Sequence, residues 1–215
     1  MKKRSYIVTM FALVSIFLVG YRYAKGSIYI EIITTILAIV AAVAFWMEFR
    51  SNERINEAQL IMELNDQFIS NKQFAEVEWK LEKYYASFKN AKKSGEDVSR
   101  IPLDMDLSMD KQERQHLVNY LVHLEGIAAL VNEDVLHLKA ITNLMAYRYF
   151  IAVNNPIVQK VELLPYKDYY QGCIAIYDKW SKTLGKDKVP MNEYALSDQV
   201  DTPATSFQCK KRKNK

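Results

Sequence analysis

Two apolar stretches near the N-terminus constrain this chain more than any other feature. The first, residues 6–23, carries Arg22 as its one charged residue, and the second, residues 28–47, carries only Glu31. A bilayer core about 30 Å thick needs roughly 20 helical residues, and a slightly shorter stretch can span it when flanking side chains reach the interface. The sequence therefore predicts a transmembrane hairpin of two helices within residues 1–49.

A secretory signal peptide is the competing interpretation of the first stretch, because Lys2, Lys3 and Arg4 precede it. Cleavage requires small residues at the first and third positions before the cut. A cut after Ala24 would place Arg22 at the third position, and a cut after Gly20 would place Leu18 there. The pattern therefore favours an uncleaved membrane anchor.

The distribution of basic residues predicts the orientation of the hairpin. The turn side of the hairpin holds Arg22, near the end of the first stretch, and Lys25, whereas five Lys and Arg residues flank the outer ends. Since basic residues accumulate on the cytoplasmic side of membrane spans, both termini are expected in the cytoplasm, with the lipid bilayer as the first partner. The five flanking residues are Lys2, Lys3, Arg4, Arg50 and Arg54.

Two features of the second stretch could do more than anchor the protein. The rise of the helix places Glu31 roughly 10 Å from the bilayer midplane. Its carboxylate is expected either at the headgroup boundary or as a functional acid within the membrane. Thr34, Ala38 and Ala42 recur every four residues and form a face of small side chains that another helix can approach closely. The helix packed there is expected to be the first span of the same chain or a span of a second copy.

Charge is divided unevenly between the body and the C-terminus. Positions 50–209 hold 19 Lys and Arg against 23 Asp and Glu, a net charge of −4. A mildly acidic body argues against nucleic-acid binding, which requires a basic face. The last six positions instead hold five basic residues that are candidate contacts to anionic lipid. These are Lys210, Lys211, Arg212, Lys213 and Lys215.

Residues 50–185 show helical periodicity of apolar positions. Residues 61–88 follow a spacing of three and four, which predicts one long helix or two collinear helices, and residues 89–108 predict a loop. Asp110 and Glu113 resemble a capping box before the next helix, and Gly185 is expected to end the last one. The further periodic segments are residues 117–131, 138–152, 156–164 and 166–184.

The predicted fold is therefore all-α, with the N-terminal two-helix transmembrane hairpin followed by a cytoplasmic bundle of about four to five helices. The cytoplasmic domain is expected over residues 50–185. Residues 186–215 lose periodicity and gain Pro, Ser, Thr and Asp, so they are expected to form a disordered tail with a basic end.

No catalytic, cofactor-binding or metal-binding residue is predicted. Asp104 and Asp106 lack the further oxygen ligands of a calcium loop, and the three histidines do not form a zinc-protease pattern. A phosphate-binding glycine loop and a nucleophile elbow are also missing from the sequence. Cys173 and Cys209 are too few for a disulfide framework or a thiolate metal site.

A resemblance to a known family adds to this prediction. Arg114, residues 124–131 with the Asn-Glu-Asp turn that follows them, and a Tyr-rich helix ending in Trp180 resemble a bacterial family known only as a domain of unknown function. The resemblance covers about residues 28–184. It implies one or two N-terminal spans before a helical domain, a bacterial inner membrane, and a role in stress response or phage defence.

Together these observations predict a membrane-anchored cytoplasmic helical protein-interaction module, an adapter or sensor without catalytic activity or cofactor, that binds another protein or a copy of itself. The alternative is a membrane effector of the stress or phage-defence type, whose hairpin oligomerises and perturbs the bilayer. An enzyme acting on a membrane-proximal substrate is the third possibility.

Overall fold

The computed structural model describes residues 28–200, with side chains from Ile32 onward. The first expected span, residues 6–23, and the candidate lipid contacts at the basic C-terminus lie outside the described residues. The chain divides into two compact units, Met1–Asn56 and Glu57–Lys215. The described residues contain helices and turns and no β-strand, so the all-α prediction is confirmed.

Helix α1 runs from Ile28 to Ser70. Its N-terminal part is long and apolar enough to cross a membrane, and none of that apolar window is buried within the protein. Thr34, Ala38 and Ala42 are exposed along this part of the helix. Glu31 belongs to α1, but its side chain lies outside the described ones.

Asn71 ends the first helix and starts the second, α2 (Lys72–Ser94). Its backbone is extended, with φ −81° and ψ 106°, and its side chain accepts a hydrogen bond from the Gln73 backbone N–H. Asn is among the best N-cap residues because its side-chain oxygen satisfies a free donor of the first turn. Phe68 and Phe74 lie on either side of this break and pack together, with ring centroids 5.7 Å apart.

Helix α2 is longer than the sequence predicted. The expected loop at residues 89–108 is wrong for its first six residues, which continue the helix to Ser94. Ala91 is buried there, and Gly95 supplies the left-handed C-cap, at φ 72°, that ends the helix. Burial of one further turn therefore outweighs the polar composition of that segment.

The remaining helices are α3 (Gln112–Asn132), α4 (Leu138–Val153), the single turn α5 (Pro156–Val158) and α6 (Gln171–Leu184). The predicted capping box is wrong. Helix α3 begins at Gln112, so Lys111 and not Asp110 is the N-cap residue, and its side chain makes no capping hydrogen bond. Glu113 instead accepts hydrogen bonds from Lys80 Nζ and from the Asp106 backbone. Gly185 ends α6 as predicted.

Helices α3, α4 and α6 surround the centre of the core. Helix α3 packs against α6, α2 and α4, and α4 also packs against α6 and α2. Trp180 of α6 stacks on Tyr149 of α4 at a centroid distance of 4.7 Å, and Tyr149 donates a 2.6 Å hydrogen bond to the Cys173 carbonyl. Aromatic side chains of this size contribute much of the buried apolar surface of a domain.

The start of α6 is held by a carboxylate from α3. Glu125 accepts hydrogen bonds from the backbone N–H groups of Gly172 and Cys173, at 2.6 and 2.8 Å. A negative charge at a helix N-terminus is favourable because the free N–H groups there carry partial positive charge. A Cβ atom at position 172 would lie 2.6 Å from Glu125 Oε1, so glycine allows this close approach.

A buried ion pair joins α3 to the segment after α5. Arg114 Nη2 donates to Glu162 Oε2 at 2.9 Å, and the Tyr170 hydroxyl donates to Glu162 Oε1 at 3.0 Å. Glu162 lies in a π-helical turn, Gln159–Leu163. In this wider helical turn the side chains of Gln159 and Glu162 both point into the protein and are buried.

The segment after Gly185 is folded up to Val200, which contradicts the expected disordered tail over its first half. It ends in the short helix α7 (Leu196–Gln199). Asn154 donates to the Pro190 carbonyl at 2.8 Å, and Gln159 donates to the Tyr194 carbonyl at 2.6 Å. Short turns have no helical periodicity, so the sequence pattern did not reveal this packing. Six of its residues are buried, namely Val189, Pro190, Met191, Ala195, Leu196 and Val200.

Candidate interaction surface

The two acidic residues that were weighed as metal ligands, Asp104 and Asp106, bind other groups of the protein. Asp104 accepts a 2.8 Å hydrogen bond from Lys83, and Asp106 accepts two from Ser108. The Lys83 hydrogen bond lowers the pKa of Asp104, and the Ser108 hydrogen bonds lower the pKa of Asp106. Within residues 28–200, no three His, Cys, Asp or Glu side chains are grouped as metal ligands.

A groove of about 1320 Å³ lies between α2 and the loop that follows it. Its charged side chains are largely paired with one another. Lys80 lies 2.5 Å from Glu113 and 3.1 Å from Glu76, and Lys83 is paired with Asp104. These pairs leave little unsatisfied charge for a ligand, so the groove is a weak candidate for a binding site.

The three histidines lie apart in two settings. His137 precedes α4, and both its backbone nitrogen and its ring Nδ1 lie 2.8 Å from Glu57 Oε1. His116 and His123 are on α3, and the His123 ring packs against Phe68 and Phe74 at 4.7 and 5.3 Å. The Nε2 atom of His123 is buried without a hydrogen-bond partner.

Burial lowers the pKa of His123, although the ring's hydrogen bond to the Leu64 backbone opposes this effect. In the unfolded chain the pKa of a histidine is about 6.5. Below that pH the unfolded chain therefore binds a proton at His123 more readily than the folded protein does. The free energy of unfolding should therefore fall as the pH drops from about 7.5 to 5, with a slope of up to about 1.4 kcal/mol per pH unit from this group. The slope should be smaller in His123→Phe, which keeps an aromatic ring without a titrating group.

Denaturant midpoints of wild type and His123→Phe measured across this pH range test the expectation. Equal slopes in wild type and His123→Phe would contradict it.

Arg148 joins three helices at one point of the domain surface. Its Nε donates to both carboxylate oxygens of Glu78 on α2, at 2.8 and 3.0 Å, and its Nη1 donates to Asn65 Oδ1 on α1 at 2.9 Å. The guanidinium also lies 5.3 Å from the centre of the Phe68 ring. Burial raises the pKa of Glu78, against the opposing effect of Arg148. Because Arg148 makes contacts on both neighbouring helices, the surface around it has a defined shape.

Five large apolar side chains on the same three helices lie close in sequence to the residues of this contact and remain open to solvent. Two lie on α1, one three residues before Asn65 and the other four residues after it. One directly follows Glu78 on α2, and two precede Arg148 on α4. They expose between 42% and 67% of their surface. Their grouping is unusual because large apolar side chains on a soluble domain are normally scattered singly. They are Met62, Ile69, Trp79, Leu144 and Tyr147, and together with Arg148 they form what we call the Arg148 surface.

Acidic side chains lie at the rim of the Arg148 surface. Asp66 is exposed beside Met62 and Ile69 on the same face of α1, and Glu82 is exposed one turn after Glu78 on α2. Neither carboxylate forms an ion pair with another described residue. Burial, followed by the nearby Glu82 carboxylate, raises the pKa of Tyr147. The surface is therefore apolar at its centre, with the unpaired carboxylates Asp66 and Glu82 beside it, and Lys83, which is paired with Asp104, lies 5.3 Å from the centre of the Trp79 ring.

The sequence profile of a domain of unknown function, DUF4760, matches residues 30–180. The chain belongs to the DUF4760 family. The matched region covers most of α1, all of α2 to α5 and most of α6, including every residue of the Arg148 surface, which confirms the resemblance found in the sequence. No curated protein and no solved structure matches the chain.

The sequence indicated the Arg148 surface only in part. Tyr147 and Tyr149 of the DUF4760 domain stand two positions apart in one aromatic-rich helix, yet Tyr149 is fully buried and Tyr147 is exposed. A usable signal was present on α1, where Met62 and Ile69 are apolar but out of phase with the buried positions Ile61, Leu64 and Phe68. Apolar residues off the core face of a helix favour contact with something else.

Proposed function

We propose that this protein is a membrane-anchored helical interaction module that binds a protein partner through the Arg148 surface and has no catalytic activity. In this proposal the apolar part of α1 is the second of two spans in a bacterial inner membrane, and both termini face the cytoplasm. The observation that carries the proposal is the group of large apolar side chains left exposed on the three helices that Arg148 joins.

The chemistry of the surface suggests what it binds. Trp79 and Tyr147 are the residue types enriched at the energetic centres of protein interfaces. Asp66 and Glu82 at the edge favour a partner segment whose apolar side chains are flanked by Lys or Arg, since complementary charge speeds and orients association. Tethering to a membrane raises the effective concentration of partners in the same membrane, so a modest interface is sufficient.

Site-specific photo-crosslinking in membranes tests this proposal. A photoreactive residue in place of Trp79 should give a covalent adduct with one defined protein, whereas the same residue at exposed Lys139 on α4, outside the surface, should not. Met62→Glu and Leu144→Glu should each reduce the adduct about tenfold or more, because a charge would be placed against the apolar centre.

Val122→Glu is the matched control, because Val122 is similarly exposed but lies on α3. It should leave the adduct unchanged. Equal adducts from positions 79 and 139, or an adduct that survives Met62→Glu, would refute the proposed binding site.

A membrane effector is the competing hypothesis, with Thr34, Ala38 and Ala42 forming the contact between spans. Overproduction separates the two, because an interaction module should leave the membrane potential intact. Loss of potential that disappears on Ala38→Leu and Ala42→Leu would favour the effector instead, since larger side chains prevent close helix approach.

A further inference from the structure

The last described segment of the chain, residues 186–200, passes beside the Arg148 surface. Glu193 pairs with Lys92 at 2.8 Å, and Tyr194 packs on Phe88 at a centroid distance of 5.9 Å, both on α2. One turn earlier on α2, Tyr85 contacts Tyr147 at 6.3 Å. Burial, followed by the Glu193 carboxylate, raises the pKa of Tyr85. The chain therefore reaches the Tyr147 side of the surface shortly before Val200.

The residues beyond Val200 are long enough to reach any part of the domain. Fifteen residues follow Val200, and at about 3.3 Å per residue they extend up to roughly 50 Å. A folded domain of this size has a radius of gyration of about 15 Å. The segment is therefore long enough to contact the Arg148 surface.

The charges of the segment and of the folded domain are complementary. Residues 57–200 hold 17 Lys and Arg against 21 Asp and Glu, whereas residues 201–215 hold five basic residues and one acid, Asp201. Phe207 precedes the basic run and provides an aromatic side chain. The segment thus combines apolar and basic groups, and the Arg148 surface combines an apolar centre with the unpaired Asp66 and Glu82.

We propose that residues 201–215 bind the Arg148 surface of their own chain and compete there with the partner. This inference rests on the proposed function, because it assigns a regulator to the same surface. Because the segment and the surface belong to one chain and are joined by a short connection, the effective concentration is in the millimolar range. If the segment alone binds with a dissociation constant of about 0.1 mM, the surface is occupied in roughly nine of ten molecules. Deleting residues 201–215 should then strengthen partner binding about tenfold.

Cys209 allows a direct measurement in the full-length protein. Cys173 is fully buried and burial raises the pKa of its thiol, so a bimane dye should react with Cys209 alone. Tryptophan quenches bimane on contact. Trp180 is buried, whereas Trp79 and Trp46 are exposed, so the comparison with Trp79→Phe isolates the quenching by Trp79. The labelled protein is placed as single copies in nanodiscs of zwitterionic lipid, and its fluorescence is compared with that of Trp79→Phe.

We expect quenching in the wild-type chain that is lost in Trp79→Phe. It should fall at least twofold on Glu82→Lys with Asp66→Lys, and also in about 0.5 M salt, which screens exposed charges. Glu133→Lys, an exposed change at the end of α3, is the control and should leave the quenching unchanged. Equal fluorescence in wild type and Trp79→Phe would overturn the inference.

Two other results would also overturn it. A change in bimane fluorescence that requires anionic lipid and is the same in wild type and Trp79→Phe would show that the basic run binds the bilayer. Quenching that appears only when two copies share a nanodisc would assign it to a second chain. Failure here is distinguishable from failure of the proposed function: if adducts at position 79 form as expected while Trp79 does not quench the dye, the surface binds a partner without this regulator.

Discussion

Truncation after Gly185 is expected to abolish cooperative folding of the helical domain that follows the apolar part of α1. The deletion removes four large buried apolar side chains, Val189, Met191, Leu196 and Val200. Each such side chain contributes about 1.5–3 kcal/mol when buried. The deletion also removes one carbonyl acceptor each from Asn154 and Gln159, at about 0.5–1.5 kcal/mol for each lost hydrogen bond. These losses are comparable to the whole stability of a domain, about 5–15 kcal/mol.

Truncation after Val200 is the matched control, because it keeps the buried side chains and the hydrogen bonds to Asn154 and Gln159 that are described above for residues 186–200. Its free energy of unfolding should stay within about 1 kcal/mol of that of the full chain, since surface changes away from buried contacts are usually small. Both variants are compared by thermal and denaturant unfolding in the same detergent. A cooperative transition at the wild-type midpoint after removal of residues 186–215 would show that the segment does not stabilise the bundle.

The second large effect is expected from Arg114→Met, which breaks the ion pair with Glu162. The two side chains are 12% and 7% exposed, so the remaining carboxylate would be buried with only the Tyr170 hydroxyl as a hydrogen-bond donor. Removing one partner of a buried pair typically costs about 3–5 kcal/mol. For a chain of this size, that loss lowers the melting temperature by roughly 6–20 °C.

A double-mutant cycle shows whether the loss comes from the unpaired charge. Arg114→Met combined with Glu162→Leu should be more stable than Arg114→Met alone, because no buried charge remains. Lys83→Met provides the control, since it breaks the exposed pair with Asp104 and should leave the melting temperature nearly unchanged. A double variant less stable than both single variants would contradict this explanation.

Helices with a strong amphipathic repeat could be predicted from the sequence. In α3 the buried positions Leu117, Leu121 and Leu124 follow the predicted spacing, because a surface helix must turn one stripe toward the core. The end of α6 at Gly185 was predicted for a similarly local reason, since glycine accepts the positive φ, here 94°, that follows a helix.

Predictions failed where a contact with a residue distant in the sequence outweighed a local preference. Glu113 sits at a position suited to a capping box, yet it binds Lys80, which is 33 residues away. The polar end of α2 remains helical because tertiary contacts bury Ala91. Lys186 to Val200 packs through short turns and isolated apolar side chains, and that kind of packing has no repeat for a sequence pattern to show.

The sequence by itself determined the apolar stretches, the helical phases of the bundle and the division of charge between an acidic body and a basic C-terminus. These properties depend on residues close together in the chain. Only the tertiary structure decided that Tyr147 is exposed while Tyr149 is buried, and that Arg148 meets Glu78 from 70 residues away and Asn65 from 83. The reason is physical: local periodicity sets which face of a helix is apolar, but the packing of α1, α2 and α4 sets which side chains meet and which stay in solvent. The Arg148 surface is a product of that packing.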